Sequence, residues 1–434
     1  MAPQECTTRE RELGLEVFYT STPGVGGRLR ADPEDFQVRE ISRYPERSDN
    51  GRFTVARVTA TNWETNRLIR QLSRALRISR RKVGFAGTKD KRAVSTQLMS
   101  FQAGPEEVGS LDIHQVDIDQ IYPSRREITI GDLVGNSFII RVRDCLFHGR
   151  ELEDLAGQVT ASLKELGGFP NFFGVQRFGA LRPVTHLVGK RIIQGDFEGA
   201  VMTYCAKPVE EEAPEAREAR RELGDTGDFK AALSTFPRKL TFERTVVEHL
   251  AEHPGDFSGA LGRLPTNLQM MFVHAYQSYL FNRILSERMR RGLPLNRPVE
   301  GDVVLPVGRD DLPEHDSHIP VTGENMDLVS KQLREGRAVI GGLVFGSESE
   351  FAGGEMGEIE RSVVESEGIR RRDFLVPDMP RASSKGNRRE LVGRFWELEH
   401  RVEGDRLDIG FSLTKGCYAT SLLREYMKAN TMDY

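Results

Sequence analysis

Phe36-Gln37-Val38-Arg39 alternates apolar and polar side chains, the period of a half-buried strand, and Glu40 followed by Ile41 breaks it. Turn chemistry in Asp32-Pro33-Glu34-Asp35 precedes this strand. Residues 52–59 are β-branched and regularly patterned, and predict a second strand. Beyond Thr61 the period lengthens. Leu68, Ile69, Leu72, Ala75 and Leu76 fall on one face of a helix, and Arg67, Arg70, Arg74 and Arg77 fall on the opposite face. Thr61-Asn62-Trp63-Glu64 has the spacing of a capping box and is predicted to open this helix.

Residues 127–130 and 137–142 read as two strands, with Gly131 and Gly135-Asn136 marking the connection between them. Residues 152–166 have a helical period that Gly167-Gly168 stops. Phe169, Phe172, Phe173 and Phe178 then interleave with Asn171, Gln176 and Arg177, as either a packed loop core or a stacking surface for bases. Residues 207–225, rich in Arg and Glu and poor in apolar side chains, read as a solvent-exposed helix or mobile insertion. Residues 267–289 form an amphipathic helix through Leu268, Met271, Phe272, Ala275, Tyr279, Leu280 and Ile284. Residues 301–359 are rich in strand patterns and glycine, residues 381–394 read as a flexible basic segment, and a strand pair with a short helix from about 419 to 427 closes the chain.

Composition widens the picture in two places. With 434 residues, 38% hydrophobic and 29% charged, the chain has ample apolar surface for two or three domains. The net charge of −4 and isoelectric point near 6.2 do not announce a nucleic-acid binder, yet residues 61–100 hold ten Lys/Arg against Glu64 and Asp90. Exposed helix faces normally mix signs to gain ion pairs four residues apart. An unbroken arginine row is either an ordinary solvated face or a line of phosphate contacts. Cys6, Cys145, Cys205 and Cys417 lie far apart with no CxxC pair, which suits a reducing compartment and excludes a small disulfide framework. Nothing at the N-terminus has the pattern of a signal peptide, and no run approaches the length of a membrane span. The expectation is a soluble intracellular protein.

The candidate chemistry centres on residues 84–97, where Asp90 lies among Lys89, Lys91 and Arg92 just after Gly84 and Gly87. Neighbouring cations favour an ionised carboxylate, so Asp90 is either a charged surface acid or a reactive anion. His249-Leu250-Ala251-Glu252-His253 spells H-x-x-E-H, but Pro254-Gly255 ends any helix at the second histidine, so a zinc hydrolase is a weak reading. Residues 84–89 lack the spacing of a phosphate-binding P-loop.

Five ordered stretches together resemble the TruD family of tRNA pseudouridine synthases, in the larger version of archaeal and eukaryotic members. They are Asp32-Pro33-Glu34-Asp35-Phe36; Phe85-Ala86-Gly87-Thr88-Lys89-Asp90-Lys91; Gly135-Asn136-Ser137-Phe138; Asn171-Phe172-Phe173-Gly174 with Gln176-Arg177-Phe178-Gly179; and Gly416-Cys417-Tyr418-Ala419-Thr420-Ser421 with Arg424-Glu425. The resemblance implies an α+β pseudouridine-synthase catalytic fold, with a mixed, mostly antiparallel sheet and flanking helices. It would be built from residues 1–179 and 391–434, with a large α/β insertion domain at 180–390. The implied reaction isomerises a uridine of tRNA, at position 13, to pseudouridine. The implied protein is a cytoplasmic monomer that needs no metal and no organic cofactor, and whose partner is tRNA rather than a membrane.

By the same resemblance Asp90 is the catalytic carboxylate and Arg30 its ion-pair partner. Attack at the ribose C1′, attack at the base C6 and assisted glycal formation all require Asp90 as an anion. Phe36, Phe138 and Tyr418 would offer flat surfaces to the nucleotide and Asn136 would read a uracil edge, after the base is flipped out. Arg67, Arg70, Arg74, Arg77, Lys89, Lys91, Arg92, Arg388 and Arg389 are the candidate contacts to the RNA backbone. The alternative is an RNA-binding or chaperone protein of the same fold without turnover.

Overall fold

A computed structural model describes residues 4–179, 181–308 and 311–434. The chain divides into two compact units. One comprises Thr22–Phe169, Gly393–Ala429 and Asp433–Tyr434, and the other comprises the stretch up to Ser21, Pro170–Val392 and Asn430–Met432. The first residues, grouped by sequence with the catalytic part, therefore belong with the middle segment. Two hydrogen bonds tie them to the long helix of that segment, with Asn282 donating to the Leu13 carbonyl at 3.0 Å and Ser286 to that of Gly14 at 2.8 Å, and Leu13, Leu15, Val17 and Phe18 are buried.

The unit starting at Thr22 is built on a sheet of nine strands among the described residues. In spatial order they are Phe395–Glu403, Arg406–Thr414, Leu133–Cys145, Phe36–Ser42, Val94–Phe101, Phe53–Thr61 and Val116–Ser124, with Gly26–Arg28 also paired to the long strand and Val83–Phe85 to Val94–Phe101. Phe36–Ser42 and Val94–Phe101 run parallel, with Gln37 opposite Val94, and the other pairings are antiparallel. Helix Thr65–Ala75 lays Leu68, Ile69 and Leu72 on Ala56, Val58, Met99 and Phe101. Burying each such leucine or isoleucine contributes about 1.5–3 kcal/mol. Helices Gly149–Leu166 and Ala419–Met427 are joined by a 2.8 Å hydrogen bond between Thr160 Oγ1 and the Tyr426 hydroxyl. Gly167 ends the first of these at φ 77°, a left-handed cap.

Several local expectations change. Gly135-Asn136 is not a connection but lies inside one strand, Leu133–Cys145, while Ile130–Asp132 is a short 3-10 turn. A Cβ on Gly135 would come within 2.2 Å of the Leu413 carbonyl oxygen, so this glycine answers a close strand approach rather than a turn. The arginine-bearing helix is capped by Glu64, whose carboxylate accepts the amides of Asn66 and Arg67 at 2.9 Å, and Thr61 ends the preceding strand. Ala75, placed by periodicity on the inner face, is exposed, and Arg77 lies beyond the helix at φ 54°.

The other unit is mainly helical around Thr266–Arg290, with a small antiparallel sheet ordered Ile319–Pro320, Val303–Pro306, Ala338–Val344, Asn387–Glu390. Its strands are antiparallel, and the helices outnumber them among the described residues. The long helix is buried on more than its apolar stripe, since Gln277, Asn282, Ser286 and Arg288 are also inside, while Met271 is exposed. The charged stretch, read as an exposed helix or a mobile insertion, contains helix Pro214–Thr226, pinned by Arg220 between Glu212 and Glu243 at 3.0 and 2.7 Å. Phe169 of the sheet unit and Phe172 and Phe178 of the helical unit are fully buried, so most of the aromatic run fills core. No helix among the described residues is long and apolar enough to cross a membrane.

Candidate active site

The turn Pro33–Asp35 sets the start of strand Phe36–Ser42. Asp35 is fully buried; it accepts the Asp32 amide at 2.9 Å and two guanidinium nitrogens of Arg143, at 2.8 and 2.7 Å. Burial alone would raise its pKa, but the Arg143 hydrogen bonds, the Asp32 amide and the charges of Arg143 and Arg141 outweigh this and hold it below the usual carboxylate value. Phe36 then meets Phe138 edge-on at 6.2 Å, and Phe138 stacks on Phe411 at 5.2 Å. The guanidinium of Arg30 lies over the Phe36 ring, 4.1 Å from its centroid.

Arg30 has φ 57°, a left-handed backbone that non-glycine residues adopt rarely. Its Nη2 donates to Asp90 Oδ2 at 2.7 Å, and Arg92 Nη2 donates to the Arg30 carbonyl at 3.0 Å. The two loops thus hold each other: one arginine grips the carboxylate, and another grips the backbone of the first. The Arg30 side chain is 17% exposed and that of Asp90 61%. The carboxylate is held by a half-buried cation yet open to a ligand.

Asn136 lies opposite Glu40 on one side and Leu413 on the other. Its Oδ1 is buried without a hydrogen-bond partner among the described residues. Such an acceptor costs about 1–3 kcal/mol when it stays unpaired. Tyr418 is half-buried at the N-cap of helix Ala419–Met427. The Lys415 amide donates to the Val134 carbonyl at 3.0 Å, so the turn that carries Tyr418 adjoins the end of the long strand where Asn136 lies.

The sequence-predicted cations separate into three groups. Arg67, Arg70, Arg74, Arg77 and Lys91 are exposed. Arg67 lies 5.2 Å over the Trp63 ring, and the acid nearest the row, Glu64, is used as the helix cap. Arg92 holds the Arg30 loop. Lys89, Arg388 and Arg389 depart from the phosphate-contact expectation. Lys89 is buried against Glu40 at 2.7 Å. Arg388 is buried against Glu360 at 2.9 Å, in strand Asn387–Glu390 and not in a flexible segment. Arg389 lies 4.4 Å over Phe173 and donates to Asn171 Oδ1 at 2.7 Å. Phe36, expected to offer its face to the nucleotide, is buried and carries Arg30 instead.

Sequence reading missed Glu40, Arg143 and Phe411. Glu40 had a signal: Phe36, Val38, Glu40 and Ser42 share the inward parity of the strand, so the residue that seemed to break the pattern is an inward carboxylate. In the histidine pair, His249 Nε2 bonds Asp256 at 2.7 Å and His253 is the C-cap of helix Thr241–Glu252. No group of three or more His, Cys, Asp or Glu with metal-holding geometry occurs among the described residues.

The family model described as tRNA pseudouridine synthase D (TruD) matches residues 12–426. A Methanococcoides burtonii protein described as "Probable tRNA pseudouridine synthase D" is 43% identical over 430 residues, 98% of each chain. One of the same description from Methanosarcina acetivorans is 41% identical over the whole of both chains. A crystal structure from Methanosarcina mazei bearing the same family name superposes with a TM-score of 0.89 at 40% identity, covering 99% of this chain and 100% of that one.

Proposed function

We propose that this chain, which belongs to the tRNA pseudouridine synthase D (TruD) family, isomerises uridine 13 of tRNA with Asp90 as nucleophile. That it is a pseudouridine synthase acting on tRNA follows from the family and the relatives. The position, the nucleophile and the flipping of the base are our reading. The observation that carries it is the Arg30–Asp90 pair: a single exposed carboxylate, oriented by one guanidinium and left open on its other side.

Isomerisation breaks the N1–C1′ bond, turns the uracil and joins C5 to C1′; the C5 proton is lost and N1 takes one up, so the composition is unchanged. As nucleophile, the Asp90 carboxylate bonds to C1′ as N1 leaves with the bonding pair, and C5 of the turned uracil then displaces it. Arg30 keeps Asp90 in place with a charge-assisted hydrogen bond. Stacked uridine is out of reach of such a group, so the base is extruded at a cost of a few kcal/mol. Asn136, whose buried Oδ1 has no partner among the described residues, would turn its amide to an edge of the flipped uracil. Phe138 and Phe411 give this end of the sheet an apolar floor, Phe36 carries Arg30, and Tyr418 flanks the base. The exposed row of Arg67, Arg70, Arg74 and Arg77, with Lys91, serves the phosphates of the folded tRNA.

The test is incubation of unmodified tRNA with the full chain, followed by site-resolved mapping of pseudouridine. Wild type should modify position 13 with or without EDTA, and Asp90→Asn should bind tRNA but leave it unmodified. Turnover by Asp90→Asn, or modification at other sites alone, would sink the assignment.

A further inference from the structure

We infer that Glu40 and Lys89 are positioning residues that set the height and direction of Asp90. The inference rests on the reading of Asp90 as the reacting carboxylate. A lysine one residue before an exposed aspartate in a polar loop belongs by default in solvent. Here the Lys89 side chain is 6% exposed and that of its partner Glu40 is 0% exposed, with Nζ and Oε2 2.7 Å apart. The pair is closed on both ends. Glu40 Oε1 accepts the Ser42 hydroxyl at 2.6 Å, and the Lys89 amide donates to Thr65 Oγ1 at 2.7 Å. Residue 89 is thereby tied through its side chain to strand Phe36–Ser42 and through its backbone to the first turn of helix Thr65–Ala75. The loop backbone passes directly over the pair: a Cβ on Gly87 would lie 3.2 Å from Leu133 Cδ2 and 3.5 Å from Lys89 Nζ.

A buried ion pair is a poor source of stability, because the desolvation of two charges offsets most of their attraction. An apolar pair of similar volume would hold the loop at least as firmly against unfolding. What the ion pair adds is direction, since its hydrogen bonds accept one geometry. The consequence is that the two halves of the Arg30–Asp90 contact are referenced to the same strand. Arg30 reaches it through the ring of Phe36, and Asp90 reaches it through Lys89 and Glu40. The pairing also withdraws a second cation from the site. Without Glu40, Lys89 would be free to turn outward and compete with Arg30 for Asp90.

The experiment measures pseudouridine formation by the full chain on unmodified tRNA, with kcat and KM separated, tRNA affinity measured directly, and thermal unfolding run on every variant. The variants are Glu40→Gln, the double change Glu40→Leu with Lys89→Met, the conservative Lys89→Arg, and Asp90→Asn. We expect Glu40→Gln and the double variant to lose about 100-fold in kcat, the scale of an ångström-sized misplacement. KM and tRNA affinity should stay at wild-type values, and Lys89→Arg should recover most of the rate. A folded double variant, or a folded Glu40→Gln, with wild-type kcat would overturn the inference and leave the pair as packing. A rise in KM at constant kcat would overturn it too, and return Lys89 to the phosphates. Activity in Asp90→Asn would instead refute the reading of Asp90 itself, so the two failures are distinguishable.

Discussion

Replacing Asp35 by Asn tests whether the Arg30 loop is held by the buried carboxylate beneath it. The substitution keeps shape and removes charge from a side chain with no exposure. Arg143 would lose its three hydrogen bonds to an anion but keep Asp32, 3.2 Å away; Arg141, 3.8 Å from Asp35, would keep Asp408 at 2.9 Å. Because those acids remain, the cost should fall below the ~3–5 kcal/mol of an orphaned buried charge. It should lie nearer the ~1.5–3 kcal/mol of hydrogen bonds to a charged group. In a unit of this size that is a loss of about 3–12 °C in Tm. The pH dependence gives a second signature. Asp35 in the folded chain titrates below its ordinary 3.8, so the folded state binds that proton less readily than the unfolded chain does. Its contribution is therefore present above 3.8 and is lost as pH falls through the depressed value. Thermal unfolding of wild type and variant from neutral pH downward should show the largest gap at neutrality, narrowing in acid. The rate of pseudouridine formation should fall as well, since Asp35 fixes the turn between Arg30 and Phe36. An equal Tm, or a gap independent of pH, would refute the reasoning.

Changing Arg67, Arg70 and Arg74 together to Ala should weaken tRNA binding and flatten the plot of log K against log salt by up to about 3, near one unit per phosphate contact. Filter binding across a salt series reads this, and an unchanged slope returns the row to ordinary solvation. Gly135→Ala should push strand Leu133–Cys145 off Arg406–Thr414, because the added methyl would meet the Leu413 carbonyl oxygen at 2.2 Å. A loss of about 1–3 kcal/mol in denaturant unfolding is expected, as for an overpacked core. Wild-type stability with wild-type activity would argue that the strands separate at no cost.

Where one physical cause dominates a segment, the sequence is transparent. The helix Thr65–Ala75 follows from periodicity, because it buries one face, and strand Phe53–Thr61 from its β-branched run. Gly135 was misread because glycine has two uses, and the need for a bare Cα at a strand contact cannot be told from a turn without knowing the partner strand. The Arg30–Asp90 pairing spans sixty positions of sequence, and no periodicity links the two; only the family resemblance brought them together. Lys89 and Arg388 were misassigned for a related reason. A basic side chain reads as a surface charge until its buried carboxylate is found, and Glu40 and Glu360 lie far from them in sequence.

The cations near Asp90 consequently do unequal work, and burial decides which does what. A charge buried in an ion pair is spent on geometry, because water and a mobile polyanion cannot reach it; an exposed charge is free to meet phosphate but fixes nothing. Lys89 is of the first kind and Lys91 of the second, although they flank the same aspartate. Arg92 fixes a backbone carbonyl, and Arg30, less exposed than its partner, is left to make the direct contact with the carboxylate. Had all four approached Asp90, the local field would favour the anion yet hold it in no particular direction, and a nucleotide would have to displace several charges to reach it. With Lys89 and Arg92 committed elsewhere and Lys91 exposed to solvent, one guanidinium orients the carboxylate and its open side remains accessible. That arrangement suits the nucleophile proposed for Asp90: rigid behind, where Glu40, Thr65 and Phe36 anchor the loops, and unobstructed in front.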